Sequence, residues 1–197
     1  MSETIRAFIA FEIPDEVLSS LGRVQEGLKS YGFQAKWVRP QSIHLTLKFL
    51  GNIQPAHVQP IAGVMRDAAE GYAPLSLRAR GIGVFPNKRR PRVIWIGLTG
   101  QVNLLGELQH KLDDGLSEIG FKKEDRSFKG HLTLGRFKTR INSTDIIRAL
   151  EEFAEFETEA FAGDQLILFK SELAPTGAVY SKLEHISLKT HISEPMD

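Results

Sequence analysis

The tetrad His-Leu-Thr-Leu occurs twice in this chain of 197 residues, at positions 44–47 and again at 131–134. Side chains alternate between the two faces of a β-strand, so the His and Thr of each copy share one face and the leucines share the other. Each copy therefore carries one imidazole and one hydroxyl above an apolar anchor. Two such strands facing each other bring two imidazoles and two hydroxyls into one cleft, and the repeat predicts that arrangement.

The polar side chains of the repeat are His44, Thr46, His131 and Thr133, which we call the quartet. They suit acid–base chemistry at a phosphate, because imidazole titrates near neutrality and one His can accept a proton while the other donates one. On opposite sides of phosphorus, the two rings fit in-line displacement, in which entering and departing oxygens lie opposite each other. The hydroxyls can donate to the non-bridging oxygens. These residue types alone leave open which His is the acid.

Composition limits the alternatives to this chemistry. The chain has no Cys, which excludes disulfides, thiolate nucleophiles and Cys-ligated zinc. His is a common metal ligand, but two His without a patterned Asp or Glu nearby make a poor metal site. The formal net charge is only +1, so contact with a polyanion must come from a local patch. The densest basic cluster, Lys88-Arg89-Arg90-Pro91-Arg92, is either a phosphate-backbone contact or a solvated hairpin loop.

Four further residues are candidate substrate contacts. Lys48 shares the face of the first motif's His on a regular strand, so it either reaches a substrate phosphate or is solvated. Arg136 falls on the face opposite the second motif's His unless the strand bulges, so it either contacts substrate or forms a structural ion pair. Phe8 and Phe11 are candidates for base stacking, although aromatics in an apolar strand usually belong to the core. The other histidines are predicted to lie at the surface: His57, His110, His185 and His191.

The order of apolar patterns predicts an α+β protein whose second half loosely repeats its first. Strands are predicted at 6–13, 37–38, 43–50, 75–84, 92–98, 131–134, 160–171 and 178–188. Helices are predicted from Pro14 to Gly32, from Pro55 to Gly71, over 102–119, and from a cap at Ser143-Thr144-Asp145 to Phe153. No low-complexity linker separates the halves, so residues 1–197 are expected to form one two-lobed domain.

The motifs and their surroundings resemble those of the two-histidine (2H) phosphoesterase superfamily. Within it, the chain resembles the bacterial and archaeal RNA 2′,3′-cyclic phosphodiesterases, also called 2′-5′ RNA ligases. The segments that carry the resemblance are 6–10, 44–51, 92–95, 131–136, 171–173 and 177–180.

This resemblance implies a bilobal fold of two pseudo-symmetric lobes, each with an antiparallel sheet and flanking helices, around a central cleft. It implies hydrolysis of RNA 2′,3′-cyclic phosphate ends to 2′-phosphates without metal or cofactor, and a weaker, reversible joining of RNA ends through a 2′-5′ bond. By position, it implies that His44 is the proton donor, His131 the proton acceptor, and Thr46 and Thr133 the phosphate-binding residues. The implied partners are RNA with such ends or cyclic nucleotides, with no membrane and no obligate protein partner.

Two rival functions stay open. One is a phosphoesterase of the same architecture that acts on ADP-ribose cyclic phosphate or 2′-5′ oligoadenylate. The other is an RNA-binding module without turnover, although binding alone needs no matched acid and base. The lack of Cys, of a long apolar run and of a signal-peptide pattern in the first residues predicts a cytoplasmic protein.

Overall fold

The structure, a computed structural model, describes residues 4–174 and 177–189. His191 and the first three residues, to which two of the sequence predictions apply, lie outside the described residues. The strands are β1 Ile5–Phe11, β2 Ala35–Trp37, β3 Leu45–Ile53, β4 Leu75–Phe85, β5 Val93–Gly100, β6 Leu132–Phe137, β7 Phe161–Gly163, β8 Gln165–Ala174 and β9 Gly177–Ser187. The α-helices are α1 Asp15–Lys29, α2 Val58–Ala69, α3 Val102–Glu118 and α4 Ser143–Glu152. No described helix has the length and apolarity needed to cross a membrane.

The helices begin and end close to the positions that the sequence predicts, with one change at a cap. Helix α1 follows Pro14 and has Asp15 and Glu16 in its first turn, where acids favour the helix dipole. The sequence predicts that Ser143-Thr144-Asp145 caps helix α4, but the N-cap in the structure is Asn142. The Asn142 side chain accepts a hydrogen bond from the Thr144 backbone N–H at 2.9 Å, because Asn reaches a free amide two residues ahead.

Every strand pair is antiparallel, and the strands form one sheet in the order β7-β4-β5-β6-β3-β1-β8-β9, with β2 also paired to β6. The predicted α+β, two-lobed fold is confirmed. The two expected sheets are continuous, because β3 and β6 meet at a single pair, Leu45 with Leu132. One half-sheet therefore contains β9, β8, β1 and β3, and the other contains β7, β4, β5 and β6.

Each half of the chain contributes strands to the other lobe. Strand β4 follows α2 in the first half but pairs with β5 and β7. Strand β8 follows α4 in the second half but pairs with β1. The lobes are therefore interlocked by strand exchange, which holds the two motif strands in a fixed relation.

The two faces of the sheet have different roles. Along β1, Ala7, Ile9 and Phe11 belong to the large core that contains residues from all four described helices. Phe8 and Ala10 alternate with them and form a small apolar cluster on the opposite face, with Ile167 and Phe169 of β8. The small cluster contains no helix residue, and Phe8 lines the cleft, so the cleft lies on this second face of the sheet.

Candidate active site

The quartet gathers around the junction between the half-sheets. His44 and His131 immediately precede β3 and β6, and Leu45 and Leu132 form the antiparallel pair between these strands. Extending that register places each His across from the other motif's Thr. Both leucines are fully buried in the large core, so the quartet lies on the opposite face. The structure therefore brings the two motifs together as the sequence predicts.

The cleft beside the junction contains a cavity of about 320 Å³. Its lining includes His44, Thr46, Thr133, Arg6, Arg136 and Tyr180. His131 precedes Thr133, which lines the cavity, by two residues. A second cavity, also about 320 Å³, continues from His44 along β9 and is lined in part by Arg39, Tyr180 and Lys182. The cleft thus combines hydroxyl and guanidinium donors with room for a nucleotide-sized anion.

Both imidazoles are oriented by the same backbone device. Nδ1 of His44 lies 2.8 Å from the carbonyl oxygen of Ser42, and Nδ1 of His131 lies 2.7 Å from that of Lys129. A carbonyl only accepts hydrogen bonds, so each Nδ1 carries a proton and donates it. The other ring nitrogen, Nε2, is left to exchange a proton in the cleft. Each His is thus held in the tautomer that proton transfer through Nε2 requires.

Aromatic rings flank both imidazoles. Phe8 stacks on His44 with centroids 4.6 Å apart, and Tyr180 meets the same ring edge-on at 5.2 Å. Phe85 meets His131 edge-on at 5.0 Å. These contacts restrict ring rotation and remove water from the sides of each imidazole.

Burial lowers the pKa of both imidazoles below the ordinary value of 6.5, because water cannot fully solvate the charged rings. The Ser42 carbonyl raises the pKa of His44, whereas the nearby His131 lowers it further. The Lys129 carbonyl raises the pKa of His131, whereas the charge of Arg136 lowers it.

A β-bulge in β6 brings Arg136 into the cleft. Trp95 of β5 pairs with Thr133 and Ile94 pairs with Gly135, which leaves Leu134 as an extra residue. This extra residue reverses the alternation, so Arg136 faces the same side as Thr133 and lines the cavity. The sequence places Arg136 on the same face as His131 only if the strand bulges, and the structure contains that bulge. Among the described residues, Arg136 forms no ion pair.

A matching bulge in β3 removes Lys48 from the cleft. Ala10 pairs with Thr46 and Ile9 pairs with Lys48, which leaves Leu47 as the extra residue. Lys48 is only 3% exposed, its Nζ is bonded to the Asp113 carboxylate, and it donates to the Lys122 carbonyl at 2.6 Å. The prediction that Lys48 contacts substrate is wrong, because it assumed unbroken alternation.

The two aromatic candidates occupy different faces of β1. Phe8 lines the cavity but is 3% exposed and packs between His44 and Phe169, so it supports the His44 ring more than it offers a free stacking surface. Phe11 is fully buried in the large core, and its assignment to base stacking is wrong. Phe8 and Phe11 are three residues apart on β1. Because side chains alternate between the faces of a strand, residues an odd number of positions apart lie on opposite faces.

The lining of the cleft also includes large side chains that were not among the sequence candidates, namely Tyr180, Arg6 and Phe49. Tyr180 comes from β9, Arg6 from the start of β1, and Phe49 reaches the cleft only through the β3 bulge. All three residues lie in segments that carry the family resemblance, which is the one signal for them in the sequence. Of the other histidines, His57, His110 and His185 are exposed, as predicted. In the described part of the chain, no group of three or more His, Asp or Glu side chains is placed to hold a metal ion.

Comparison with known proteins agrees with this geometry. The family described as LigT like Phosphoesterase matches residues 11–95 and again 96–180. The RNA 2′,3′-cyclic phosphodiesterase of Methanothermobacter thermautotrophicus is 35% identical over 180 residues, which cover 91% of this chain and 97% of that protein. The protein of the same name from Thermotoga maritima is 34% identical over 179 residues, covering 91% of this chain and 93% of that protein.

Solved structures give the same result for the fold. A Thermus thermophilus protein superposes with a TM-score of 0.78 at 28% identity and covers 95% of this chain and 100% of its own. E. coli LigT complexed with 3′-AMP superposes with a TM-score of 0.72 at 21% identity, covering 94% and 99% of the respective chains. Two strands that each present His-x-Thr to one cleft define a 2H phosphoesterase. The chain belongs to the LigT-like family of these enzymes.

Replacing Lys48 by Met should lower the free energy of unfolding by about 3–5 kcal/mol, because it leaves the Asp113 carboxylate buried without its cation. Urea denaturation measures the loss. Lys29→Met is the matched control, since Lys29 pairs with Glu26 at the surface and its removal should cost no more than about 1 kcal/mol. A Lys48→Met protein of normal stability with a raised KM would instead restore Lys48 as a substrate contact.

Proposed function

We propose that this protein hydrolyses RNA 2′,3′-cyclic phosphate ends to 2′-phosphomonoesters by paired His acid–base catalysis without a metal ion. The observation that carries the proposal is the matched orientation of His44 and His131. Each donates Nδ1–H to a carbonyl two residues upstream, so each keeps Nε2 for the cleft that Thr46 and Thr133 also face. The relatives named RNA 2′,3′-cyclic phosphodiesterase support the choice of substrate.

The chemical step is an in-line displacement at phosphorus. Nε2 of His131 takes a proton from water as the water oxygen bonds to phosphorus. The P–O3′ bond breaks on the opposite side, and protonated His44 gives its Nε2 proton to O3′. The phosphate stays on O2′, and each proton transfer contributes about 10²–10⁴-fold to the rate.

Hydroxyl and guanidinium groups of the cleft can stabilise the negative charge on the phosphate. The Thr46 and Thr133 hydroxyls can donate to the non-bridging oxygens, and one fixed donor of this kind is worth about 10²–10³-fold. Arg6 and Arg136 line the same cavity and offset the negative charge. A bound phosphate also favours a protonated His, which counters the effect of burial on the pKa of the two imidazoles.

The same geometry supports reversible joining of RNA ends. A 5′-hydroxyl can replace water as the entering group, which gives a 2′-5′ phosphodiester by the same pair of proton transfers. The rival substrates, ADP-ribose cyclic phosphate and 2′-5′ oligoadenylate, contain comparable phosphate groups. Product analysis with adenosine 2′,3′-cyclic phosphate and these two compounds ranks them, and a protein that only binds RNA would turn over none.

Substituting the quartet tests the proposed acid–base pair. His44→Ala and His131→Ala should each lower kcat on adenosine 2′,3′-cyclic phosphate at least about 10²-fold with an unchanged fold, because each removes one proton transfer. Thr46→Ala and Thr133→Ala should cost less, since water partly replaces a hydroxyl. EDTA should leave the parent rate unchanged. Near-normal activity in either His variant, or loss with EDTA that a divalent ion restores, would contradict the proposal.

The pH dependence of kcat/KM follows from the lowered pKa of both imidazoles. Below both values the base is protonated, and above both values the acid is neutral, so the profile should be bell-shaped with its maximum below pH 6.5. Arg136→Gln removes a charge that lowers the pKa of His131, so it should move the profile toward higher pH. Initial rates from about pH 4 to 9 measure both effects. A flat profile, with product release shown not to limit the rate, would count against paired titration.

A further inference from the structure

The in-line step assigns the two sides of the cleft to different parts of the reaction. O3′ departs toward His44, and it belongs to the ribose that carries the cyclic phosphate. That nucleoside therefore lies on the His44 side. The group that supplies the entering oxygen must approach from the His131 side, whether it is water or the 5′-hydroxyl of a second strand.

The His44 side has the features of a nucleoside site. Its cavity of about 320 Å³ has apolar and aromatic lining from Phe169, Val179 and Tyr180. Lys182 also lines it, but its charge is paired with Glu12 at 2.6 Å. This surface offers aromatic and apolar packing for one nucleoside, and its lining also includes Arg39.

The His131 side leads to a different surface. Phe85 contacts His131 at 5.0 Å and is the last residue of β4. Nζ of Lys129 lies 4.6 Å from the ring centroid of Trp95 and 5.8 Å from that of Phe85, so a cation stands beside the same rings. The chain continues from Phe85 directly into the loop at 86–92, which we call the basic loop.

The basic loop is ordered and carries free positive charge. The Asn87 side-chain oxygen accepts backbone N–H bonds from Arg89 and Arg90, each at 3.0 Å, and the Arg92 N–H donates to the Phe85 carbonyl at 2.6 Å. Lys88, Arg89 and Arg90 are exposed. Within residues 4–174 and 177–189, no carboxylate forms an ion pair with these three side chains. Three residues span at most about 10 Å, so Lys88 stays close to the Phe85–His131 contact.

We propose that the basic loop binds the phosphate backbone of a second RNA strand, the one whose 5′-hydroxyl replaces water. This inference rests on the proposed function and on its assignment of His131 as the proton acceptor. In the joining step, O5′ bonds to phosphorus and gives its proton to His131, while P–O3′ breaks and O3′ takes the proton of His44. The product is a 2′-5′ phosphodiester, and no cofactor or net oxidation is involved. Backbone contacts of this kind give affinity without sequence preference.

The reverse reaction allows a direct test, because cleavage of a 2′-5′ linkage releases the downstream strand from the His131 side. Two RNAs of equal length are compared, one with the 2′-5′ linkage after its first nucleotide and one with it before its last. The variant replaces Lys88, Arg89 and Arg90 by Ala. Its kcat/KM should fall at least about 10-fold on the RNA with the long downstream strand. It should stay within about twofold on the RNA with the long upstream strand.

Salt dependence and a matched variant complete the test. On the first RNA, the slope of log kcat/KM against log salt should flatten by up to about 0.7 per lost phosphate contact. Replacing Arg23, Lys29 and Arg66 by Ala removes the same charge from helices α1 and α2 and should leave both RNAs unaffected. Hydrolysis of adenosine 2′,3′-cyclic phosphate should be equal in the parent and both variants.

Each other outcome is decisive. An equal loss on both RNAs, or a loss on the long upstream strand alone, would place the loop on the cyclic-phosphate strand and overturn the inference. No change on either RNA would make the loop a solvated hairpin and also overturn it. If the parent protein hydrolyses cyclic nucleotides but cleaves neither RNA, the inference fails and the proposed function stands. If the parent hydrolyses no cyclic nucleotide, the proposed function itself fails.

Discussion

The pairing of Leu45 with Leu132 is the constraint on which the site depends. These two residues are the whole connection between β3 and β6, and both are fully buried against the helices. Because the pair is antiparallel and directly follows each His, it sets all four quartet side chains on the same face at once. A slip of one residue in either strand would turn the His and Thr of that strand into the core. The cleft opens because the two strands separate on either side of this single pair.

The bulges in β3 and β6 place different side chains at equivalent positions after the two motifs. In both motif strands, the residue after the second Leu is turned into the interior and the next one faces the cleft. The interior positions hold Lys48, which is in a buried ion pair, and Gly135, where a Cβ would lie 2.9 Å from the Trp37 ring. The cleft positions hold Phe49 and Arg136. The residue that follows the first bulge in the cleft is therefore aromatic, and its counterpart after the second bulge is cationic.

Short-range sequence patterns predict the quartet and the ends of the helices. The quartet follows from strand alternation, and the helix ends follow from Pro, Gly and apolar spacing. Lys48 and Phe11 could not be placed in this way. The bulge that turns Lys48 inward depends on pairing with β1, and Phe11 belongs to the core through its face of that strand. Tyr180 reaches His44 only because β8 crosses to β1 and carries β9 with it. Strand exchange is a long-range property that no local pattern records.

The central claim is a single in-line displacement between two imidazoles on opposite sides of phosphorus. The stereochemistry at phosphorus tests it most directly. One diastereomer of uridine 2′,3′-cyclic phosphorothioate is hydrolysed by the protein in ¹⁸O-labelled water, and the configuration of the 2′-phosphorothioate product is determined. A single displacement with His131 as base and His44 as acid predicts inversion. Retention would require two displacements through a covalent intermediate and would contradict the mechanism.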